Sequence, residues 1–264
     1  MKNSVAYRII TSVICISATI LFIFPVVIMI YRSFQVNGLN NYVRVFNKYN
    51  LLPNFRTSII VVLGTLIIVA FVVSTAAFAF SKLEFPFKKL LYYILLMGMM
   101  IPVSALIFPL FQVIKKLGLQ NSPVSLIFAY VTTSSCFNLM ILKNYFDALP
   151  SELMQAAHID GANKWKIYKD VMLPIAKPGV SVVLIQTFLT SWNELQMARI
   201  FISNTNVQPI SVIPIRFAQT ISSRGFTQEV MYAALVICLL PIAIFYIFAS
   251  RYLIEGLTSG AVKG

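Results

Sequence analysis

The sequence predicts an all-α integral membrane protein with six transmembrane helices, and three observations carry that prediction. Of the 264 residues, 59% are hydrophobic and only 11% are charged, against roughly 25% charged in a soluble domain. Six apolar runs recur along the chain, each close to the roughly 20 residues a helix needs to cross a bilayer. The connections between them are short, which leaves no room for a soluble catalytic domain. Helices are the expected form because lipid offers an open backbone no hydrogen-bond partner.

The predicted spans lie at about 9–31, 58–80, 90–114, 125–142, 180–202 and 230–252. The first resembles a signal peptide in position, but no small-residue cleavage site follows it, so an uncleaved helix is expected. Pro25 falls in the first span, Pro102 and Pro109 in the third and Pro241 in the sixth, where each is expected to kink its helix. The fourth is the shortest and carries Thr132-Thr133-Ser134-Ser135 at its middle. Such a stretch is expected to face protein or water rather than lipid. The fifth contains Glu194, an intramembrane carboxylate and therefore a functional candidate. Arg199 stands five residues on; a structural ion pair, or an interfacial position at the helix end, explains Glu194 as well. Asn138, Gln186 and Asn193 suit a path for hydroxyl-rich ligands, and interhelical hydrogen bonding accounts for them equally.

A formal charge of +13 arises from 21 basic and 8 acidic residues. No dense basic run exists, and Lys and Arg of membrane proteins gather beside anionic headgroups, so nucleic acid is not an expected partner. Placing both termini in the cytoplasm puts 12 of the 21 basic residues on that side, a slight positive-inside preference. The cysteines, Cys15, Cys136 and Cys238, are far apart in apolar runs and read as small hydrophobes. The single His158 builds no metal site with them, and no catalytic residue set or phosphate-binding glycine loop is present. An intramembrane enzyme therefore has no support.

The longest connection, about 143–179, contains SELMQAAHIDGANKWKIYKDVMLPIAKPGV from Ser151 to Val180. Ser151 after Pro150 reads as a helix N-cap, and Gly161 as the end of that helix. Trp165, Tyr168 and Met172 then recur at helical spacing, and Pro174 and Pro178 close the second stretch. Ala156 and Ala157 allow close approach, while Trp165 and Tyr168 are large anchors for a binding partner. An amphipathic helix pair resting on headgroups fits the pattern as well.

Gln155-Ala156-Ala157, Gly161 and Val171-Met172-Leu173-Pro174 resemble the cytoplasmic "EAA" loop of bacterial ABC importer permeases. Gln155 replaces the family's glutamate and Val171 its isoleucine; the first change removes a charge, which implies a weaker polar contact to the ATPase. Further similarity lies in Asn41-Tyr42 with Val45-Phe46, Phe85 through Lys89, Gly118-Leu119, Ser191 through Glu194, and the terminal GLTSGAVKG. These are similar to the carbohydrate branch, and most of all to the shorter second permease of maltose-type and multiple-sugar importers.

The resemblance implies one transmembrane domain over residues 1–264, with the coupling loop between helices four and five and both termini cytoplasmic. It implies a bacterial plasma or inner membrane location, and uptake of an oligosaccharide or sugar derivative by alternating access. Coupling to the ATPase would fall to Gln155, Ala156, Ala157, Asp160, Gly161, Trp165, Tyr168, Leu173 and Pro174. The tail, 253–264, would add Thr258, Ser259, Gly260, Lys263 and Gly264. Its partners would be a second permease, two ATPase subunits that bind ATP and Mg, an extracellular or periplasmic sugar-binding protein, and membrane lipid. This chain would bind no cofactor. The connection from Ser203 to Phe226 resembles the loop that probes the binding protein. The competing expectation is an ion-coupled secondary transporter with Glu194 as its ion site.

Overall fold

A computed structural model describes residues 5–48, 50–224 and 227–261, and every regular element among them is helical. The chain divides into two units, Met1–Leu51 with Ile213–Pro241, and Leu52–Val212 with Ile242–Gly264.

In the first unit, α1 (Val5–Ser33) runs through Pro25 without interruption and leaves its apolar side chains unpacked within the chain. Helix α2 (Asn40–Lys48) follows a tight turn that depends on Asn41. The buried Asn41 amide donates to the carbonyls of Ser33 and Gln35, both at 2.9 Å. The Ser33 hydroxyl meets that of Tyr42 at 2.7 Å. The Asn-Tyr pair noted in the sequence thus closes a backbone turn. Helix α12 (Ile213–Arg224) and the first part of α13 (Gln228–Ala261) complete this unit.

The second unit holds α3 (Leu51–Lys82), α4 (Lys88–Met97), α5 (Val103–Lys116) and α6 (Pro123–Ala148). It continues through α7 (Glu152–Ile159), the short α8 (Lys164–Lys166) and α9 (Leu173–Ile175), α10 (Lys177–Asn193) and α11 (Gln196–Phe201). Four helices, beginning at Tyr7, Leu51, Pro123 and Gln228, are long and apolar enough to cross a membrane, and two bent pairs raise the number to six.

The bent pairs are Lys88–Met100 with Val103–Lys116, where a kink is expected at Pro102, and Lys164–Ile175 with Lys177–Asn193, which turns by 77°. The third apolar run breaks between α4 and α5 by 104°. Pro102, at the N-cap of α5, cannot donate a backbone bond across the break, whereas Pro109 is accommodated inside α5. The fifth run, expected as one span over 180–202, ends as a helix at Asn193 and restarts as α11.

Helices α6 and α10 approach closely through Gly179 and are joined by Asn138 donating to the Thr187 hydroxyl at 2.9 Å. A Cβ on Gly179 would lie 2.5 Å from the Tyr145 ring, a rigid obstacle, whereas one on Gly64 would meet only the flexible end of Ile127 at 2.6 Å. Gly179→Ala is therefore expected to destabilise the chain by about 1–3 kcal/mol through overpacking. Gly64→Ala gains about 1 kcal/mol of helix propensity to offset its smaller strain. Thermal unfolding of the two variants in detergent checks this: the Gly179 variant should melt clearly lower.

Candidate functional site

The connection that links α6 to α10 is built by capping interactions. Helix α7 ends in a Schellman arrangement: Gly161 N–H donates to His158 O and Ala162 N–H to Ala157 O, both at 3.0 Å. This geometry places Gly161 at φ +79°, where an L side chain is strained. Two residues later Asn163 caps α8, its Oδ1 accepting from Lys166 N–H at 2.9 Å. The chain then widens into a π turn over Ile167–Met172, with Leu173 N–H reaching back to Tyr168 O. Pro174 lacks the N–H that an α-helical continuation needs, and its ring crowds the preceding turn, which accounts for the widening.

The second stretch is fastened to the membrane helices. Ile167, Tyr168 and Met172 are buried with Val73, Ala77 and Phe78 of α3 and Phe146 of α6. The Tyr168 hydroxyl meets Ser74 Oγ at 2.6 Å, and its ring packs 5.3 Å from that of Phe78. Nearby, Lys82 Nζ donates to Leu149 O at 2.6 Å and so caps the carboxyl end of α6. Ser81 donates to Asp147 at 2.6 Å, and Lys143 pairs with the same carboxylate at 2.6 Å.

The expected coupling residues separate by exposure. Gln155, Ala156, Asp160, Gly161, Trp165 and Pro174 are exposed, and Ala157 and Leu173 are half-buried. Tyr168, expected as a partner-facing anchor, is only 5% exposed; it serves the chain's own core. Trp165 stacks 5.2 Å from it and remains 55% exposed. Ile159, not singled out in the sequence, is 86% exposed at the loop's tip. Its signal was an isoleucine beside the turn, off the buried face. In the tail, Thr258, Ser259 and Gly260 lie in the last turns of α13, while Lys263 and Gly264 fall outside the described residues.

A second candidate is a cavity of about 220 Å³ in the same unit, lined by the start of α5, by α6 and α10, and by the start of α11. It brings Asn138, Gln186 and Glu194 together; Asn193 points elsewhere, with its amide on Leu189 O at 2.8 Å. Glu194 does not pair with Arg199. Its carboxylate accepts from the Tyr130 hydroxyl at 2.8 Å, Met197 N–H at 2.8 Å and Ala198 N–H at 3.0 Å. Glu194 therefore caps α11, and this is why the fifth apolar run divides there. The hydroxyls of Thr132, Thr133, Ser134 and Ser135 each donate to the carbonyl four residues back. The stretch thus satisfies its own donors; Thr133 and Ser134 also line the cavity. Among the described residues, no three His, Cys, Asp or Glu side chains gather to hold a metal.

Residues 73–259 match the family described as binding-protein-dependent transport system inner membrane component. The chain belongs to that family. It is 32% identical over 279 residues, spanning both chains entirely, to the trehalose/maltose transport system permease protein MalG of Thermococcus litoralis. It is 29% identical over 225 residues to the diacetylchitobiose uptake system permease protein NgcG of Streptomyces coelicolor, covering 84% of this chain and 74% of that one. Its fold matches a chain of a bacterial ABC transporter that imports the acidic polysaccharide alginate, with TM-score 0.79 and 19% identity over 96% and 98% of the two chains. Family membership overturns the ion-coupled expectation, and the capping role of Glu194 removes its structural motive.

Two substitutions separate packing from display in the loop. Tyr168→Ala is expected to cost about 3–5 kcal/mol, as for a buried aromatic truncation. Trp165→Ala should stay within about 0.5 kcal/mol, as surface changes do. Unfolding of both variants in the same detergent measures the difference.

Proposed function

We propose that the chain is a non-catalytic permease subunit of an ATP-binding-cassette importer that carries carbohydrate across a bacterial cell membrane by alternating access. The family match over residues 73–259, joined to the coupling-loop geometry, is the observation that carries this reading. The carbohydrate class rests on the permeases for trehalose/maltose and diacetylchitobiose that the chain resembles.

In this reading α4 with α5 forms one span and α10 another, which with the four long helices makes six spans and one transmembrane domain. The connection 143–179 is then cytoplasmic, between the fourth and fifth spans, and both termini are cytoplasmic. Gln155, Ala156, Ile159, Asp160 and Trp165 face a separate ATPase, of which two copies bind ATP and Mg. Ala157, Gly161, Leu173 and Pro174 shape that surface. Thr258–Gly264 supplies a further ATPase contact. Tyr168 acts from within, carrying displacement of the loop into α3. A second permease and lipid cover the apolar surface of α1, and an extracellular or periplasmic binding protein delivers the sugar.

Gly161→Val tests the loop. Open space surrounds the position, so the cost comes from the positive φ, about 1–2 kcal/mol, and the variant should still be made and inserted. ATP-driven uptake should fall while the chain remains in the membrane; unchanged uptake removes the loop from the coupling mechanism. Gentle purification of the tagged chain, followed by mass spectrometry, should recover a second permease, an ATPase and a binding protein. Recovery of the chain alone would count against the assembly.

A further inference from the structure

The apolar part of α1, Tyr7–Ser33, is about 40 Å long at 1.5 Å per residue, against about 30 Å of bilayer hydrocarbon. Its carboxyl end, with the exposed Tyr31 and Arg32, therefore reaches the headgroups, where such side chains gather. Only residues 34–39 separate it from α2. Gly38 N–H closes that turn on Phe34 O at 3.2 Å, and the Asn41 amide ties α2 to the Ser33 carbonyl at 2.9 Å. Helix α2 thus starts at the height at which α1 stops.

At 3.6 residues per turn, α2 presents three faces. Asn41 and Val45 are buried in the chain. Asn40, Arg44, Asn47 and Lys48 form an exposed polar face. The third face is apolar and bare: Leu39, Val43 and Phe46 recur at i, i+4 and i+7 and are 70%, 51% and 56% exposed. Around it, residues 32–57 carry Arg32, Arg44, Lys48 and Arg56 and no carboxylate. An apolar stripe beside a basic face is the pattern of a helix lying in the membrane interface. A visiting soluble protein would leave the stripe in water between visits, an aggregation liability, whereas lipid is always present at this height.

We propose that α2 is an interfacial anchor, with Leu39, Val43 and Phe46 among the upper acyl chains and Arg44 and Lys48 toward the phosphates of anionic lipid. The proposal goes beyond the importer reading and rests only on α1 being a span; the topology of that reading puts α2 on the non-cytoplasmic face. The anchor has a mechanical use. Helix α1 packs none of its apolar side chains within the chain, so α2 sets its height in the bilayer.

The test reconstitutes the full chain with its copurifying subunits, without binding protein, in phosphatidylcholine vesicles with and without phosphatidylglycerol. Cys15, Cys136 and Cys238 are replaced by Ala, and a nitroxide is attached singly at Val43→Cys, Phe46→Cys, Asn40→Cys, Asn47→Cys or Phe22→Cys. Power saturation compares access of oxygen, which enters lipid, with that of a nickel chelate, which stays in water. The oxygen-to-nickel ratio should be severalfold higher at Val43 and Phe46 than at Asn40 and Asn47. Phosphatidylglycerol should raise it further at Phe46, since each cation near an anionic surface gains about 1 kcal/mol, and Arg44→Gln should shrink that rise. All four α2 positions are exposed, so each face keeps a second reporter if one label impairs assembly.

Equal ratios on both faces, shelter of Val43 and Phe46 from both reagents by a protein cover, or indifference to phosphatidylglycerol would each overturn the anchor. Nickel access at Phe22, in the middle of α1, would instead overturn the reading of α1 as a span.

Discussion

The hydroxyl pair between Tyr168 and Ser74 is the contact on which the connection between α6 and α10 depends. Ser74 also donates to the carbonyl of Ala70, so the proton shared with Tyr168 must come from the tyrosine. The pair sits among Val73, Ala77, Phe78, Phe146 and Met172. Its weight is one-sided: Ser74 keeps its bond to its own helix, whereas removing Ser74 takes from the buried Tyr168 hydroxyl its partner on α3. The loop is thereby joined to α3 at Ser74, about two turns before that helix ends at Lys82. In the proposed reading, a force applied to the exposed Ile159 and Trp165 passes into a packed helix, since close-packed interiors transmit displacement.

The same rule, that membrane polar groups must be satisfied within the protein, accounts for the rest of the unit. Thr132 to Ser135 return their protons to their own helix. Lys82 closes the carboxyl end of α6 through Leu149 O, and Glu194 closes the amino end of α11 through Met197 and Ala198. Each charged group is placed where a helix leaves backbone atoms unpaired. Asn138 Oδ1 departs from this pattern, and it does so on a cavity wall.

Much of this was legible in the sequence, for physical reasons that differ by element. The apolar runs announced their helices because a membrane-crossing segment permits little else. Gly161 announced a helix end, since only a residue without a Cβ holds φ +79° without strain. The division of the fifth run at Glu194 was half legible: Asn193-Glu194 interrupts its hydropathy, but the hydroxyl that holds the capping carboxylate comes from Tyr130, 64 positions earlier. Tyr168 misled for a related reason. An aromatic at helical spacing with Trp165 reads as an outward anchor until its partner Ser74, 94 positions away, is known. Periodicity gives the face of a helix, but which face is covered depends on contacts distant in sequence.

The two halves of the loop therefore have different mechanical characters. Helix α7 buries only one side, through Leu153, Met154 and Ala157, and exposes the side bearing Gln155, Ala156 and Ile159. The second stretch buries its anchors and exposes Trp165. Between them stand a glycine held by two backbone bonds and an asparagine cap. A junction so bonded resists bending, unlike a free linker, so the two halves move together. A π turn follows directly, where one ladder bond has already been surrendered to Pro174. Packing replaces that bond: Ile167, Tyr168 and Met172 of the same turn are buried with residues of α3 and α6, so the π turn is held by side chains where the backbone ladder is interrupted.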